Sequence, residues 1–276
     1  MMAHPALSAG RTAVITGAAS GIGLAAARRL AAMGLNLCLA DRSIAALDQA
    51  AAQIGTGRIR TQATDVARLE DLQRLHAVAT EAFGEVHLLM NNAGVGFNPG
   101  KPWENALGWR ELLGINLWGV IHGVQAFVPG MLAHGAPAVV VNTGSKQGIT
   151  LPPGNSAYNT SKAGVKAYTE LLAHELRQAA SGRVSAHLLV PGFTYTGMSN
   201  RPAKPAGAWT ADQVIDVMIE GINRGDFYLF CQDNETPRAV DEKRMAWAAG
   251  DLIHNRPALS RWHPDFSEAF AAFLKD

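Results

Sequence analysis

The stretch RTAVITGAASGIGLAAARRLAAMG, residues 11–34, decides the fold. An apolar, strand-like run ends in TGAASGIG (16–23), and an Ala-rich helical pattern follows at once. Gly17, Gly21 and Gly23 are spaced G-x3-G-x-G. A turn without Cβ atoms lets the backbone approach a pyrophosphate, whose charge then sits at the positive end of the helix. A plain strand-to-helix turn is the bland alternative, because glycine alone in a turn is weak evidence. Three glycines between a first strand and a helix favour the dinucleotide reading.

The next strand, LNLCLA (35–40), supports it. It runs into Asp41, about 20 residues beyond the glycines, where a carboxylate can accept hydrogen bonds from ribose hydroxyls. A carboxylate there repels a 2′-phosphate, so Asp41 favours NAD over NADP. Arg42 follows it and is the residue type that pairs with phosphate, which keeps NADP as the alternative. Asp65, in ATDV after the third strand, is placed to touch the adenine or to cap the following helix, and the two roles are compatible.

Outward from this unit the pattern repeats. RIRTQA (58–63), VHLLMN (86–91), AVVVNT (138–143), RVSAHLLV (183–190) and FYLFCQ (227–232) read as further strands. Amphipathic segments such as VARLEDLQRLHAVATEAF (66–83) lie between them. Strand–helix alternation means βαβ units, so the expected class is α/β: a doubly wound, Rossmann-like parallel sheet of seven strands with helices on both faces. Residues 1–276 read as one domain. The Pro/Gly-rich stretch MSNRPAKPAGAWT (198–210) reads as a mobile loop within the domain, and about 194–210 is expected to be a lid over the site. A helical extension runs over about 235–276 and is expected to shape the pocket or a subunit contact.

Bulk properties narrow the function. Of 276 residues 48% are apolar, and formal net charge is +1. Nothing in that charge argues for nucleic acid or an anionic membrane. No apolar run approaches a membrane span, and the start MMAHPALSAG has no signal-peptide pattern. Two cysteines, Cys38 and Cys231, lie in strand-like runs and suggest no disulfide framework, so a cytoplasmic location is expected. The nine histidines show no metal-ligand spacing, and no metal is expected.

NSAYNTSK (155–162) places Lys162 four residues after Tyr158 on one helix face. An ammonium about 4 Å from a phenol supplies on the order of 4 kcal/mol at an effective dielectric near 20. That is about the cost of lowering a tyrosine pKa by about three units. Pro152, Pro153 and Gly154 break the chain before this helix, and Asn155 or Ser156 can cap it. Tyr158 then falls in the first turn, where the helix dipole adds to the effect.

With these motifs in order, the chain resembles the short-chain dehydrogenases/reductases. The resemblance rests on TGAASGIG, NNAG (91–94), Asn116 in INLWGV, Ser145 in NTGSKQG, Tyr158 and Lys162 in YNTSK, and PGFTYT (191–196). It implies hydride transfer between an alcohol carbon and a nicotinamide. Tyr158 would be the general acid/base, Lys162 would lower its pKa and hold the nicotinamide ribose, and Ser145 would position the substrate oxygen. Asn116 would hold a water linking Lys162 to solvent. The cofactor would rest on the glycine turn with Ser20 and Ile22, then on Val66 beside Asp65, and on Asn92, Ala93 and Gly94. Pro191 and Gly192 would form the turn that brings Thr196 to the carboxamide. Relatives commonly form tetramers through paired helices, so a homo-oligomer, tetramer or dimer, is expected.

Substrate contacts are expected from Gln147, Phe193 and Met198. Phe97, Trp103, Leu151 and Trp209 are further wall candidates, which suggests a mainly apolar secondary alcohol or ketone. Two departures from the family stand out. His187 replaces a common asparagine, which puts local packing in doubt, and Lys146 is expected to point to solvent. Competing readings are an NADPH-preferring carbonyl reductase, a dinucleotide-binding sensor without chemistry, and an epimerase or dehydratase on the same fold.

Overall fold

The structure is a computed structural model that describes residues 3–55, 58–197 and 202–275. Its strands are β1 (Thr12–Thr16), β2 (Asn36–Asp41), β3 (Ile59–Ala63), β4 (Leu88–Asn91), β5 (Ala138–Thr143), β6 (Val184–Val190) and β7 (Tyr228–Phe230). They form one seven-stranded sheet of order β3-β2-β1-β4-β5-β6-β7, and every pairing is parallel. Each strand matches an apolar run seen in the sequence. The order reverses between β1 and β4, which opens a crevice at the carboxyl ends of the strands.

The side-chain alternation of the strands explains why both faces are covered. Ala13 and Ile15 of β1 point into one core with Leu37, Leu39, Met90 and Val141. Helices α1 (Gly21–Ala32) and α8 (Ala211–Arg224) close that core through Leu30, Val214, Met218 and Ile222. Val14 points the other way, with Cys38, Leu89 and Val140. There α3 (Leu69–Phe83), α5 (Gly119–His134) and α7 (Ser156–Ala180) bury Leu72, Leu75, Phe127 and Leu176 against the sheet. Strand residues buried on both faces are what a parallel sheet requires.

Helices α2 (Ile44–Ile54), α4 (Ala106–Leu113) and α6 (Gln147–Thr150) complete the crossovers. One expectation needs correcting. From Ala106 to His134 the chain is helical without a break and is long and apolar enough to cross a bilayer. Half of its apolar window is buried, with Val124, Phe127 and Val128 in the core, as in a central helix of a globular domain.

The extension carries α9 (Arg238–Ile253) and α10 (Ser267–Phe273). Trp247 of α9 is buried under Phe270 and Phe273, its Nε1–H donates to Ser260, and Arg256 lies 4.1 Å from its ring centroid. The tail thus folds back on α9, and α9 packs against α6 beside the site.

Candidate active site

A cleft of about 800 Å³ runs along the carboxyl ends of the strands. Gly17, Ser20, Gly21 and Ile22 line one end with Asp41, Arg42, Asp65 and Val66. Asn92, Ala93 and Gly94 line its middle, and Ser145, Tyr158, Lys162, Pro191, Gly192 and Thr196 its other end. Most of the sequence-derived residues therefore line one cavity, whereas Gly23, Asn116, Gln147 and Phe193 do not.

The glycine turn is built for close approach. Gly17 and Gly21 have φ of 65° and 54°, in the region that favours glycine. A Cβ on Gly17 would sit 2.8 Å from the Ala93 Cα, and one on Gly21 3.2 Å from the Thr196 side chain. Gly23 does not line the cleft. Its missing Cβ leaves room for the Gly17 carbonyl, so it serves the packing of α1 on the turn. Ser20 stands at the N-cap of α1 without a side-chain capping bond, so the cap offers the helix dipole no competing acceptor. Asp41 Oδ2 accepts the Ala19 N–H at 3.2 Å, which fixes the carboxylate against the turn. These features fit a dinucleotide: a cradle that side chains would fill, and an acid at the far end.

Asp65 does not cap α3 directly. That helix starts at Leu69 with Arg68 at its N-cap. Asp65 Oδ1 instead accepts the Ala67 N–H at 3.0 Å, within the turn that precedes the helix. Asn92 turns its amide inward: Nδ2 donates to the Thr16 carbonyl at 3.2 Å. Thr16 Oγ1 accepts from the Asn92 and Ala93 N–H groups, locking β4 to the glycine turn.

Tyr158 stands in the first turn of α7, and Asn155 is its cap: Oδ1 accepts the Tyr158 N–H at 3.1 Å. Asn155 Nδ2 also donates to the carbonyls of Gly96 and Phe97, tying the cleft wall to the helix start. The Ser145 hydroxyl faces the Tyr158 phenol closely enough to favour its ionised form. Ser145 Oγ accepts the Gln147 N–H at 3.1 Å.

The electrostatics differ from the expectation that Lys162 brings the phenol down. Burial pushes the Tyr158 pKa up, and the facing Ser145 hydroxyl offsets only part of this. Lys162 Nζ donates to the Thr143 carbonyl at 2.7 Å and stands 5.8 Å from the Tyr158 ring centroid. Burial pushes Lys162 itself down to about 8. In the protein alone, then, desolvation dominates both groups.

The sign of this shift makes a stability prediction. The folded pKa of Lys162 lies below its unfolded value near 10.5, so between about pH 8 and 10.5 the unfolded chain binds the extra proton. Stability from this group therefore rises with pH across that window, and below it the full penalty is present. The gain is about 3 kcal/mol at 1.36 kcal/mol per unit. Denaturant titrations at pH 7.5 and 10.5 should show wild type gaining that much relative to Lys162→Met. A constant difference would refute it.

Asn116 is fully buried in a π turn (Gly114–Trp118) that joins α4 and α5. Such turns recur at functional sites. Its Oδ1 accepts the Val95 N–H at 2.8 Å, and its Nδ2 donates to the Val95 carbonyl and to Ser161. Asn116 thus clamps the loop after Gly94. It also crowds that glycine, since a Cβ there would lie 3.3 Å from Asn116 Oδ1.

Other expectations fare variously. Gln147 is exposed and outside the cleft lining, and only its N–H reaches Ser145. Phe193 is half-buried beside the cleft, and Met198 lies outside the described residues. Phe97 lines the cleft, whereas Trp103 is 79% exposed. The stretch expected to be a lid is laced at its base: Tyr195 N–H donates to the Trp209 carbonyl and Trp209 N–H to the Phe193 carbonyl. His187 is well packed, with its ring nitrogens 2.7 Å from the Asp226 carbonyl and 2.9 Å from Ser185 Oγ. Thr143, whose carbonyl holds Lys162, is not singled out by any sequence motif. Its place at the carboxyl end of β5 is the one available signal.

A doubly wound sheet with a glycine turn and a Ser–Tyr–Lys wall on one crevice defines a class of dinucleotide-dependent proteins. The chain belongs to the short chain dehydrogenase family, whose model matches residues 11–206. It is accordingly an oxidoreductase. The 1-deoxy-11-beta-hydroxypentalenate dehydrogenase of Streptomyces exfoliatus is 31% identical over 261 residues, covering 91% of this chain and 94% of that one. A short chain dehydrogenase/reductase from Burkholderia phymatum, solved in complex with NAD, superposes with a TM-score of 0.83 at 33% identity, covering 93% of this chain and 97% of that one. An alcohol dehydrogenase from the archaeon Thermococcus sibiricus, complexed with 5-hydroxy-NADP, gives a TM-score of 0.68 at 27% identity, covering 77% and 90%.

Proposed function

We propose that the protein interconverts a secondary alcohol and a ketone with NAD as the preferred nicotinamide cofactor, using Tyr158 as general acid/base. The observation that carries this is that Ser145, Tyr158 and Lys162 together line the cleft that the glycine turn closes. Relatives support it: one is a dehydrogenase by name, and the solved neighbours hold NAD or a modified NADP.

When bound, the nicotinamide supplies or takes up the hydride. The glycine turn and the N-terminus of α1 would hold the pyrophosphate, Asp41 the adenine ribose, and Lys162 the nicotinamide ribose. Tyr158, kept protonated near pH 7 by burial, would donate its proton to the carbonyl oxygen in reduction. In oxidation the phenolate would take the hydroxyl proton, and the Lys162 ammonium would favour that state. Ser145 would donate a hydrogen bond to the substrate oxygen, a fixed dipole that need not reorganise as charge develops there. Asn116 would keep the Val95 loop in place beneath Lys162.

Purified protein should be offered a panel of secondary alcohols and ketones with each dinucleotide, and followed at the reduced-nicotinamide absorbance band. Absence of turnover with every pair would favour a binding sensor. The cofactor preference has its own test. Arg42 lines the same end of the cleft and is exposed, so once the Asp41 carboxylate is removed it can face a 2′-phosphate. Asp41→Ala should shift the NADP-to-NAD ratio of kcat/KM upward about 10- to 100-fold, equivalent to about 1.4–2.8 kcal/mol. An unchanged ratio would remove the basis for NAD preference. The reading extends to a cytoplasmic homo-oligomer: Leu107, Trp118 and Leu171 are exposed apolar side chains on α4, the π turn and α7, and both cysteines are free and buried.

A further inference from the structure

Lys146, next to Ser145, does not point to solvent. Its side chain is 15% exposed, and its ammonium lies 2.9 Å from Asp233 Oδ2 and 2.5 Å from Asp241 Oδ2. Both carboxylates are more deeply buried still, at 8% and 6%. Asp233 follows β7 and Asp241 belongs to α9, so the counter-charges come from the far end of the chain. Arg244, one turn further along α9, stands 3.8 Å from Asp241 Oδ1 and completes the cluster. Burial pushes the Asp233 carboxyl up, but the Lys146 ammonium beside it outweighs this and holds it below the usual range.

The same knot holds the cleft together at a second point. The Lys146 N–H donates to the Pro191 carbonyl at 3.2 Å. Asp233 Oδ2 accepts the Phe193 N–H at 3.4 Å. Between them Gly192 has no room for a side chain, since a Cβ would lie 2.8 Å from Asp233 Oδ2 and 2.9 Å from Lys146 Cε. Asp233 Oδ1 accepts from the N–H groups of Glu235 and Thr236, where the extension begins. One ammonium thus joins the Ser145 loop, the Pro191–Gly192 turn and α9.

A buried charge cluster adds little net stability, because desolvation consumes most of the attraction. What it does well is hold geometry, since removing the ammonium leaves two carboxylates facing each other. We propose that Lys146 is a positioning residue: pinned by Asp233 and Asp241, it fixes the Ser145 hydroxyl against Tyr158 and makes the C-terminal extension part of the catalytic scaffold. This rests on the reading of Ser145 as the donor to the substrate oxygen. A displacement of about 1 Å at such a donor can cost on the order of 100-fold in rate.

Lys146→Met, Asp241→Asn and the double variant test it in the full-length protein. Lys146→Met should lower kcat about 10- to 100-fold, with KM and the dinucleotide Kd within about threefold. Amide hydrogen exchange at residues 145–148 should quicken about tenfold in the dinucleotide-free protein, a readout independent of turnover. Asp241→Asn keeps the cation and one partner and should show the same pattern at smaller amplitude. It carries the test if Lys146→Met does not fold. The double variant should be no slower than Lys146→Met, because it removes one of the two carboxylates left without the ammonium. A kcat within twofold of wild type, or a double variant as slow as the product of the singles, would overturn the inference. A wild-type protein inactive on every alcohol and ketone would instead overturn the reading of the site, and the exchange experiment would still judge Lys146.

Discussion

Tyr158→Phe should cut kcat/KM about 1,000-fold while leaving dinucleotide affinity within about threefold of wild type. General acid/base groups contribute about 10²–10⁴-fold, and a thousandfold loss corresponds to about 4 kcal/mol. The substitution removes one oxygen from a half-buried ring and keeps the ring itself, so packing at the start of α7 is preserved. It also removes the hydroxyl that Ser145 faces. Ser145 keeps the Gln147 N–H and stays in place. The loss should therefore fall on kcat, with KM little changed, as for an interaction made in the transition state. Steady-state kinetics beside a fluorescence titration of the reduced dinucleotide separates the two. A variant with normal turnover would remove Tyr158 from the chemistry and leave the cleft as a binding site only.

Gly23→Ala is the second large effect, and it acts by another route. An alanine Cβ would lie too close to the Gly17 carbonyl oxygen for any real contact, and 2.8 Å from Asn92 Nδ2. Neither neighbour is a flexible chain end free to give way. Gly17 is backbone at φ 65°, and Asn92 is held by hydrogen bonds to Thr16 and Gly17. The start of α1 must then move off the turn, and the cradle loses its shape. Dinucleotide affinity should fall about 100-fold, or about 2.8 kcal/mol, with a lowered thermal midpoint. Gly10→Ala is the control: nothing lies within 4 Å of its Cβ position and it is outside the cleft lining, although its φ of 81° adds local strain. It should cost stability without costing affinity. Equal dinucleotide Kd values in Gly23→Ala and wild type would mean that the turn does not depend on this close approach.

The framework was legible because it rests on local patterns. Short apolar runs separated by helical periodicity mark βαβ units, and the seven strands lie where those runs predicted. Gly17 and Gly21 were recognisable because a left-handed backbone next to a helix start asks for glycine whatever surrounds it. Tyr158 and Lys162 share a helix face as i and i+4, but that spacing fits a surface pair equally well, and it was the ordered set of family motifs that singled them out. The chain break before α7 left Asn155 and Ser156 as cap candidates, and the structure selects Asn155.

Other features were not legible, each for a reason of distance or dielectric. Asn116 offered a weak local signal, an asparagine in a helix, but its partners Val95 and Ser161 are 21 and 45 residues away. The 29-residue helical run from Ala106 escapes a reading by apolar runs because the glycines and the asparagine within it hide its continuity. The expectation that Lys162 acidifies Tyr158 assumes a surface-like dielectric, whereas both groups are largely withdrawn from water and the lysine finds the Thr143 carbonyl.

The amino-acid sequence by itself determined the parallel sheet and the glycine cradle, since spacing and backbone preference act over a few residues; Ser145, Tyr158 and Lys162 were picked out through the ordered motifs of the family resemblance. Only the tertiary structure decided which charges are buried and with whom. Lys146 looks like a surface residue in its own neighbourhood and becomes a buried one through Asp233, 87 residues on. Burial is set by the whole packing around a group, and desolvation is what turns a lysine beside a serine into a constraint on it.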